Sequence, residues 1–480
     1  MNEKYIVALD QGTSSCRAFA INQKGEVQAC KHKVFSPQRP AKGKSEYNAT
    51  QLLKVQLEVL HALLDEIGPD QVASLGVCSQ RSSIVLWDKK TGHAVAPVLT
   101  WEDGRAVQES AQVSLTQEQV HKQTGLFNTP YFSAPKIAWC LKNCPAAAQA
   151  AQAGTLLAAP IASYFIWHLT KGTVFATDPT LAQRTLLWNI QTRQWDESLC
   201  QAFGVPFSCL PVVYSSATDY GSHLYKGVNI PIRTCVADQQ AAAIYQGLSA
   251  GKTSINYGTG AFVLHHTGSK LTILPGMLSS VTATTQPAQQ NFLLEGPVFA
   301  AGSVLQWLQQ VKGLSFNVEQ IDSICAQAQN PVLFLPALGG LGAPYWDYTV
   351  GPISQNVTQQ TSVADWVSGT LSGIAGLVAD IIYYLHLNGC KIADPVYVSG
   401  GLGQSAYLLQ RQADLLQKTL RFHVQTENTV LGTALLTAKF LGYPMQVWEN
   451  TARTISPRIT PQQTRQEYEN WQKFVQNCRK

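Results

Sequence analysis

The chain has 480 residues, 45% of them hydrophobic and 14% charged, with a formal net charge of +5. That length exceeds the size at which one hydrophobic core stops growing, so it predicts two domains of about 240 residues each. So mild a charge, with no run of five or more Lys and Arg, argues against a nucleic-acid-binding or membrane-surface protein.

The opening "YIVALDQGTSSCRAFAI" (5–21) sets two short apolar runs, Tyr5–Ala8 and Ala18–Ile21, around a polar turn. The runs predict a strand pair. Its turn carries Asp10, Gly12, Thr13, Ser14, Ser15 and Arg17, more hydrogen-bonding capacity than reversing a chain requires. The first residues, "MNEKYIVALD", lack the apolar core of a signal peptide. The 11 cysteines are scattered, odd in number and free of any C-x-x-C pair, Cys140 and Cys144 lying nearest. Reduced thiols in a cytoplasm are expected, without a structural zinc site.

Further along, "NATQLLKVQLEVLHALLDEIG" (48–68) predicts an amphipathic helix ended by Gly68, and "QVASLGVCSQ" and "IVLWD" predict strands. "SQRSSIVLWD" and "LTWEDGRA" place Gln80, Arg81, Trp101, Asp103 and Arg105 at strand ends or loops. Arg, Asp and Trp together suit a polyhydroxy ligand; a plain Arg81–Asp103 salt bridge is the alternative. The uncharged stretch 146–170 is long enough for a bilayer, but Gly154 and Pro160 break it. It reads as a buried helix, a loop and a second helix.

"RTCVADQQAAAIYQG" (233–247) puts Asp238 between a strand and an Ala-rich helix. It is either a helix N-cap or a carboxylate placed to take a proton from a substrate hydroxyl. "GLSAGKT" (247–253) falls one residue short of a phosphate-binding P-loop, with Gln246 where the motif needs glycine. "TSINYGTGAFVLHHTG" (253–268) repeats the plan of the opening hairpin, and Gly258 follows Gly12 by 258 − 12 = 246 residues. Either the chain is internally duplicated, with one nucleotide-handling loop per half, or two Gly hairpins coincide in a chain of 35 glycines.

"DWVSGTLSGIAGLVADIIYYLHLNG" has helical periodicity, and "PVYVSGGLGQSAYLLQRQADLLQ" reads as strand, glycine turn and helix, an α/β pattern. Gly401-x-Gly403-x-x-Ala406 fits a dinucleotide fingerprint, and the strand-like "LRFHVQTEN" ends near Glu427, where a ribose-binding acid would sit. An NAD-binding dehydrogenase is therefore an alternative, though little chain remains to complete six parallel strands.

"YFSAPKIAWCLKN" (131–143), with Lys136 and Trp139, joins "ALDQGTSSCRA", "ADQQAA", "YGTGAF", "LEGPVFAAGSVLQWL", "LPALGGLGAPYWD", "SGGLGQSAYLLQRQADLL" and "TVLGTALLTA" in one ordered set from residue 5 to about 442. The set resembles the FGGY family of carbohydrate kinases, most closely its glycerol kinases. The resemblance implies an α/β protein of two actin-like (ribonuclease-H-like) domains, 1–247 and 248–480, with a nucleotide and substrate cleft between them. It implies ATP and Mg²⁺, a small sugar or polyol as partner, no nucleic acid or membrane, and leaves homo-oligomerisation open.

By the same resemblance, Gly12, Thr13 and Ser14 contact the triphosphate, Arg17 adds positive charge there, and Asp10 holds Mg²⁺ through water. Gly258 and Thr259 contact phosphates from the other half. Gly302, Gln306, Gly401 and Ser405 line an adenosine pocket, Ser405 standing where glycerol kinases have Asn. Asp238 is the implied catalytic base. Arg81, Tyr131, Asp238 and Gln239 match acceptor-contacting positions, and Trp101 and Phe262 its apolar walls. Ser82 replaces the Glu of glycerol kinases, while "TWEDGRA" resembles the W-x-D-G-R of xylulose- and sedoheptulose-type kinases, so Asp103 is expected to supply the missing contact. The acceptor is then glycerol or a ketose such as xylulose, ribulose or sedoheptulose. A catalytically silent sugar-binding protein of the same fold is a third reading, opposed by the presence of Asp10, Thr13, Asp238 and Thr259.

Overall fold

Alternating side chains on the first strands dictate a sheet buried on both faces. In the computed structural model, which describes residues 4–286, 289–423, 427–445 and 452–479, β1 (Tyr5–Gln11) and β2 (Ser15–Ile21) form an antiparallel hairpin continued by β3 (Val27–Val34). Val7, Leu9, Ala18 and Ala20 face one core, and Ile6, Ala8, Phe19 and Ile21 another. The first face is covered by α1 (Ala49–Ile67), capped by the Asn48 side chain and stopped by Gly68 at φ 84°. Strand β4 (Val72–Ser79) lies parallel to β1. After α2 (Ser133–Asn143), β5 (Val228–Ala237) adds parallel to β4 and leads directly into α3 (Asp238–Tyr245). The sheet order is β3-β2-β1-β4-β5, with Ser222–Tyr225 antiparallel on the β5 edge.

The second half repeats this plan. Strands β6 (Thr253–Tyr257) and β7 (Ala261–Gly268) form the hairpin, and β8 (Phe292–Val298) precedes α4 (Gly302–Gln310). Helix α5 (Val363–Leu387) leads to β9 (Val396–Ser399), which lies parallel to β6; α6 (Ala406–Leu416) and β10 (Leu420–His423), parallel to β9, follow. The order is β8-β7-β6-β9-β10 between two edge strands, so the duplication suggested by the two loops extends to the sheets. Only three of these strands run parallel at its centre, against the all-parallel sheet a dinucleotide domain needs. Residues 424–426 of the strand-like stretch before Glu427 lie outside the described residues.

The chain divides into one unit of Met1–Gly247, Ser279–Phe292 and Glu427–Trp448, and another of Leu248–Leu278, Leu293–Thr426 and Glu449–Lys480. The first unit's longest segment ends at Gly247, and two later segments return to that unit. One contains α7 (Asn428–Leu441), whose Val430, Leu431, Ala434 and Ala438 cover the second face of the first sheet. It seats close to α3: a Cβ on Gly432 would lie 1.8 Å from the carbonyl oxygen of Ala241.

The uncharged stretch 146–170 holds helices Pro145–Gln152 and Ile161–Leu169, but its expected loop contains a strand, Leu156–Pro160, paired antiparallel with Ile84–Asp88. Gly154 and Pro160 bracket that strand rather than break a helix. Among the described residues only α5 is long and apolar enough to cross a membrane, and most of it is buried inside the protein.

Candidate functional site

Register in the first sheet brings three strand ends together. Gln11 pairs with Ser79, and Ser79 with Ala237, so Asp10, Gln80–Arg81 and Asp238 emerge side by side where parallel strands end. Asp238 accepts from the Gln239 amide at 2.7 Å, and that neighbour's side chain receives the Arg81 Nη2. Asp238 is therefore not an ordinary N-cap: the cap position is Ala237, and no side chain closes the first turn of α3. Burial pushes the Asp238 carboxyl up to about 6, with Asp10 adding to the shift and Arg81, the Gln239 amide and Arg184 opposing it.

Asp10 is 2% exposed, and its Oδ2 accepts from Arg17 Nε at 3.0 Å and Nη2 at 2.5 Å. Arg17 Nη1 donates to Glu427 at 2.6 Å. Arg17, expected to present free positive charge to phosphates, is thus an orienting clamp between two carboxylates. Glu427, the acid that a dehydrogenase would turn to ribose, is the other jaw. Among the described residues Asp10 Oδ1 meets only the Cys78 thiol, at 3.5 Å, a weak donor. That leaves a hard oxygen of the kind Mg²⁺ takes.

In the turn between β1 and β2, the Gly12 amide donates to Ser15 O at 3.1 Å, and the amides of Thr13 and Ser14 have no acceptor among the described residues. Trp101 Nε1 donates to Thr13 Oγ1 at 2.9 Å, and Tyr47 OH to the Thr13 carbonyl. With its lone pair engaged, the Thr13 hydroxyl has its proton to give. Trp101 also meets the Tyr131 ring at 5.7 Å between centroids, so the proposed apolar wall and the loop share one side chain.

Ser82 is 2% exposed, adopts φ 63° and has a hydroxyl with no partner among the described residues. Its carbonyl accepts from Ser133 Oγ at 3.2 Å and from Lys136 Nζ at 3.3 Å; Lys136 also donates to Tyr131 O at 2.6 Å. Full burial drives the Lys136 ammonium down to about 7. Asp103, expected to contact the acceptor, is instead committed to the protein. Both its oxygens receive Arg105 Nε at 2.8 and 3.0 Å, and Oδ2 accepts the Ser45 amide at 2.6 Å. Arg105 is an ion-pair partner of Asp103; it also pairs with Glu46 and lies 4.9 Å over the Trp139 ring.

In the second unit, Gly258 O accepts the Gly302 amide at 3.0 Å, and Thr259 O accepts those of Ala301 and Ser303 at 2.8 and 3.1 Å. The start of α4 is therefore stitched to the β6–β7 loop, and a Cβ on Gly302 would lie 2.8 Å from Gly258 O. The Thr259 amide has no acceptor among the described residues. Phe262, half-buried on β7, pairs with Asn256, and Gln306 is exposed on α4. Gly401 sits in the turn after β9, beside the end of β6. Ser405 caps α6, but its hydroxyl donates to Asp322 at 2.6 Å, and Asp322 also accepts the Ala406 and Tyr407 amides. A cavity of about 700 Å³ lies there, lined by Asp322, Ala406, Tyr407 and Arg453 but not by Gly302, Gln306 or Gly401. "GLSAGKT" is a turn into β6 with no helix behind it, as its spacing requires.

The family model for the N-terminal domain of the FGGY family of carbohydrate kinases matches residues 5–245, and that for its C-terminal domain residues 253–440. The chain belongs to this family. A glycerol kinase of Streptococcus sanguinis is 32% identical over 98% of the chain and 97% of its own length. The crystal structure of Plasmodium falciparum glycerol kinase with ADP superposes with a TM-score of 0.93 at 25% identity, covering 99% of this chain and 98% of that one. A xylulose kinase from Rhodospirillum rubrum shares the fold, with a TM-score of 0.87 at 18% identity over 99% of both chains. The FGGY chain described here is an ATP-dependent phosphotransferase acting on an alcohol group of a small sugar or polyol, with two actin-like units. Nothing in its sheets or relatives supports a dehydrogenase.

Proposed function

We propose that this kinase phosphorylates a hydroxyl of a polyol or ketose longer than glycerol, with Asp238 as the catalytic base. The observation carrying this reading is the Asp238 carboxylate at the shared strand ends, flanked by the Arg81–Gln239 pair and raised to about 6, near the range in which a base works at neutral pH. Arg81 and Gln239 bind the acceptor's hydroxyls, with Tyr131 beside them and Trp101 and Phe262 against its carbons. The acceptor oxygen bonds to the γ-phosphorus, its proton passes to Asp238, and the bond to the β–γ bridging oxygen breaks, releasing ADP. Positioning and charge stabilisation carry most of such a transfer.

The Thr13, Ser14 and Thr259 amides and the Thr13 hydroxyl hold phosphate oxygens, while Gly12 and Gly258, whose own amides bond to Ser15 O and Gly260 O, shape the two loops around them. Arg17 keeps Asp10 turned so that Oδ1 takes Mg²⁺ through water. When bound, that ion neutralises charge on the phosphates. Gly302, Gln306, Gly401 and Ser405 flank the adenosine, with Ser405 tied to Asp322 rather than to the base. The enzyme acts in the cytoplasm, consistent with all 11 cysteines being unpaired.

The acceptor class follows from Ser82. It replaces a Glu with a small side chain whose hydroxyl has no partner among the described residues, and Asp103 does not substitute, being spent on Arg105. One unmet hydrogen bond and a shorter side chain favour an acceptor with an added carbon and hydroxyl; a site missing a polar contact discriminates strongly. The test is ADP release with Mg·ATP and glycerol, erythritol, xylitol, ribulose, xylulose or sedoheptulose, with Asp238→Asn alongside. A rate highest with a longer acceptor and lost in the variant supports both parts; a preference for glycerol refutes the acceptor class, and an active variant refutes the base.

A further inference from the structure

The outer edge of β5 loses its neighbour just before Asp238. Ser222–Tyr225 pairs with β5 as far as Pro231, and the preceding segment continues that edge, with Tyr220 N–H to Ile232 O, Thr218 N–H to Arg233 O and an Ala217–Thr234 bridge; the outward amides of Cys235 and Ala237 lie at its end. Cys235 N–H goes to the Ser216 carbonyl at 2.9 Å. Ala237 N–H goes to a side chain, Thr180 Oγ1, at 2.9 Å.

That hydroxyl is not free to turn. Its proton goes to Asp178, whose two oxygens lie 2.9 and 2.8 Å away. Asp178 also accepts Ser216 Oγ at 2.6 Å and the Leu181 amide at 3.0 Å. Asp178, Thr180, Ser216 and Ala237 are each 0% exposed. A hydroxyl has one proton; once it faces the carboxylate, the lone pair must face Ala237. Burial raises the Asp178 carboxyl to about 6 while the Ser216 and Thr180 hydroxyls and the Leu181 amide hold it down; with all three donating to it, the carboxyl acts as an acceptor.

We propose that Thr180, oriented by Asp178, is a positioning residue for the phosphoryl transfer: it stands in for a strand partner where the edge ends and fixes where the backbone delivers Asp238. The inference rests on the reading of Asp238 as the base. Thr180 touches no reacting atom, and its effect runs through the Ala237 amide to the carboxylate one residue on. Displacement of a catalytic group by about 1 Å costs on the order of 100-fold in rate.

The test compares Thr180→Val, which keeps the shape and removes the acceptor, with Thr180→Ser, which keeps the hydroxyl. Thermal unfolding is recorded beside kcat and the acceptor KM. Thr180→Val is expected to lower kcat roughly 10- to 100-fold with acceptor KM changed less than about threefold, and Thr180→Ser to stay within about threefold of the parent. A folded Thr180→Val enzyme with parental kcat overturns the proposal. So does Thr180→Ser as slow as Thr180→Val, because the loss then reports packing. Should Thr180→Val not fold, Asp178→Asn carries the test, since its amide nitrogen only donates and a single oxygen is left for the Thr180 and Ser216 hydroxyls and the Leu181 amide; parental kcat there refutes the orientation. Asp238→Asn separates the two readings: if it retains turnover the base is wrong, whereas a dead Asp238→Asn beside a fully active Thr180→Val removes only the positioning role.

Discussion

Replacing Asp238 with Asn should abolish turnover and stabilise the fold at once. The Asp238 carboxyl is raised from its usual 3.8 to about 6, burial outweighing the attraction of Arg81 and Arg184. A folded-state value above the unfolded one means the native protein binds the proton more tightly between those two values. Stability therefore falls as pH rises through about 4 to 6 and stays lower above it. At about 1.4 kcal/mol per pH unit the ionised form costs at most about 3 kcal/mol at pH 7.5; Asp238 is partly open, so the measured value should lie below that ceiling. Asparagine keeps the shape and the bond from the Gln239 amide without the charge. The first unit has the size at which each kcal/mol moves the midpoint by about 2–4 °C, so Asp238→Asn should unfold several degrees higher at pH 7.5. The gain should vanish near pH 4, where both forms are neutral. Thermal unfolding at pH 7.5, 6 and 4, read beside ADP release, makes the check. Turnover should drop by about two to four powers of ten. A variant that melts lower at pH 7.5, or a gain that does not shrink on acidification, would refute the claim that this carboxylate is held against its own stability.

Four further outcomes are expected. The parent's kcat/KM should fall about tenfold per pH unit below about 6 as Asp238 takes up its proton, with Asp10, Arg81 and Arg184 setting the midpoint; a flat profile down to pH 5 contradicts the base. Arg105→Met leaves the buried Asp103 carboxylate uncompensated and should cost about 3–5 kcal/mol in denaturant unfolding, most of it recovered in the Arg105→Met/Asp103→Asn double variant. Ser82→Glu should raise kcat/KM for glycerol relative to xylitol or xylulose by about tenfold or more; an unchanged ratio removes residue 82 from acceptor choice. Cys144, half-buried and lowered by its hydrogen bond with Cys140, should be alkylated by iodoacetamide at pH 7 before the exposed Cys30, whose thiol is raised by burial, as peptide mapping would reveal.

The two loops were legible because hydroxyls and glycines between short apolar runs have few other uses, and the strand-to-helix position of Asp238 was legible for the same reason. Partner choice was less so. Arg17 reads in sequence as a charge for phosphate, yet register held the answer: counting back from the turn, Asp10 and Arg17 face each other across the hairpin. Arg81 and Asp103 look like a pair because both stand near strand ends. What the sequence does not show is Arg105 as a partner of Asp103: Glu46 and the Trp139 ring hold its guanidinium there. The return of α7 to the first unit has no local signal: its small apolar residues would suit many surfaces, and the one they cover is set by Ile6, Ala8, Phe19 and Ile21, over 400 residues earlier in the chain. Thr180 shows the same limit. "DPT" at 178–180 announces a capped helix start, but what its hydroxyl accepts is decided by where the neighbouring strand stops. Residues of the polar loops and strand ends therefore announce themselves by type and spacing, whereas those that hold them in place do so only once the sheet edges are known.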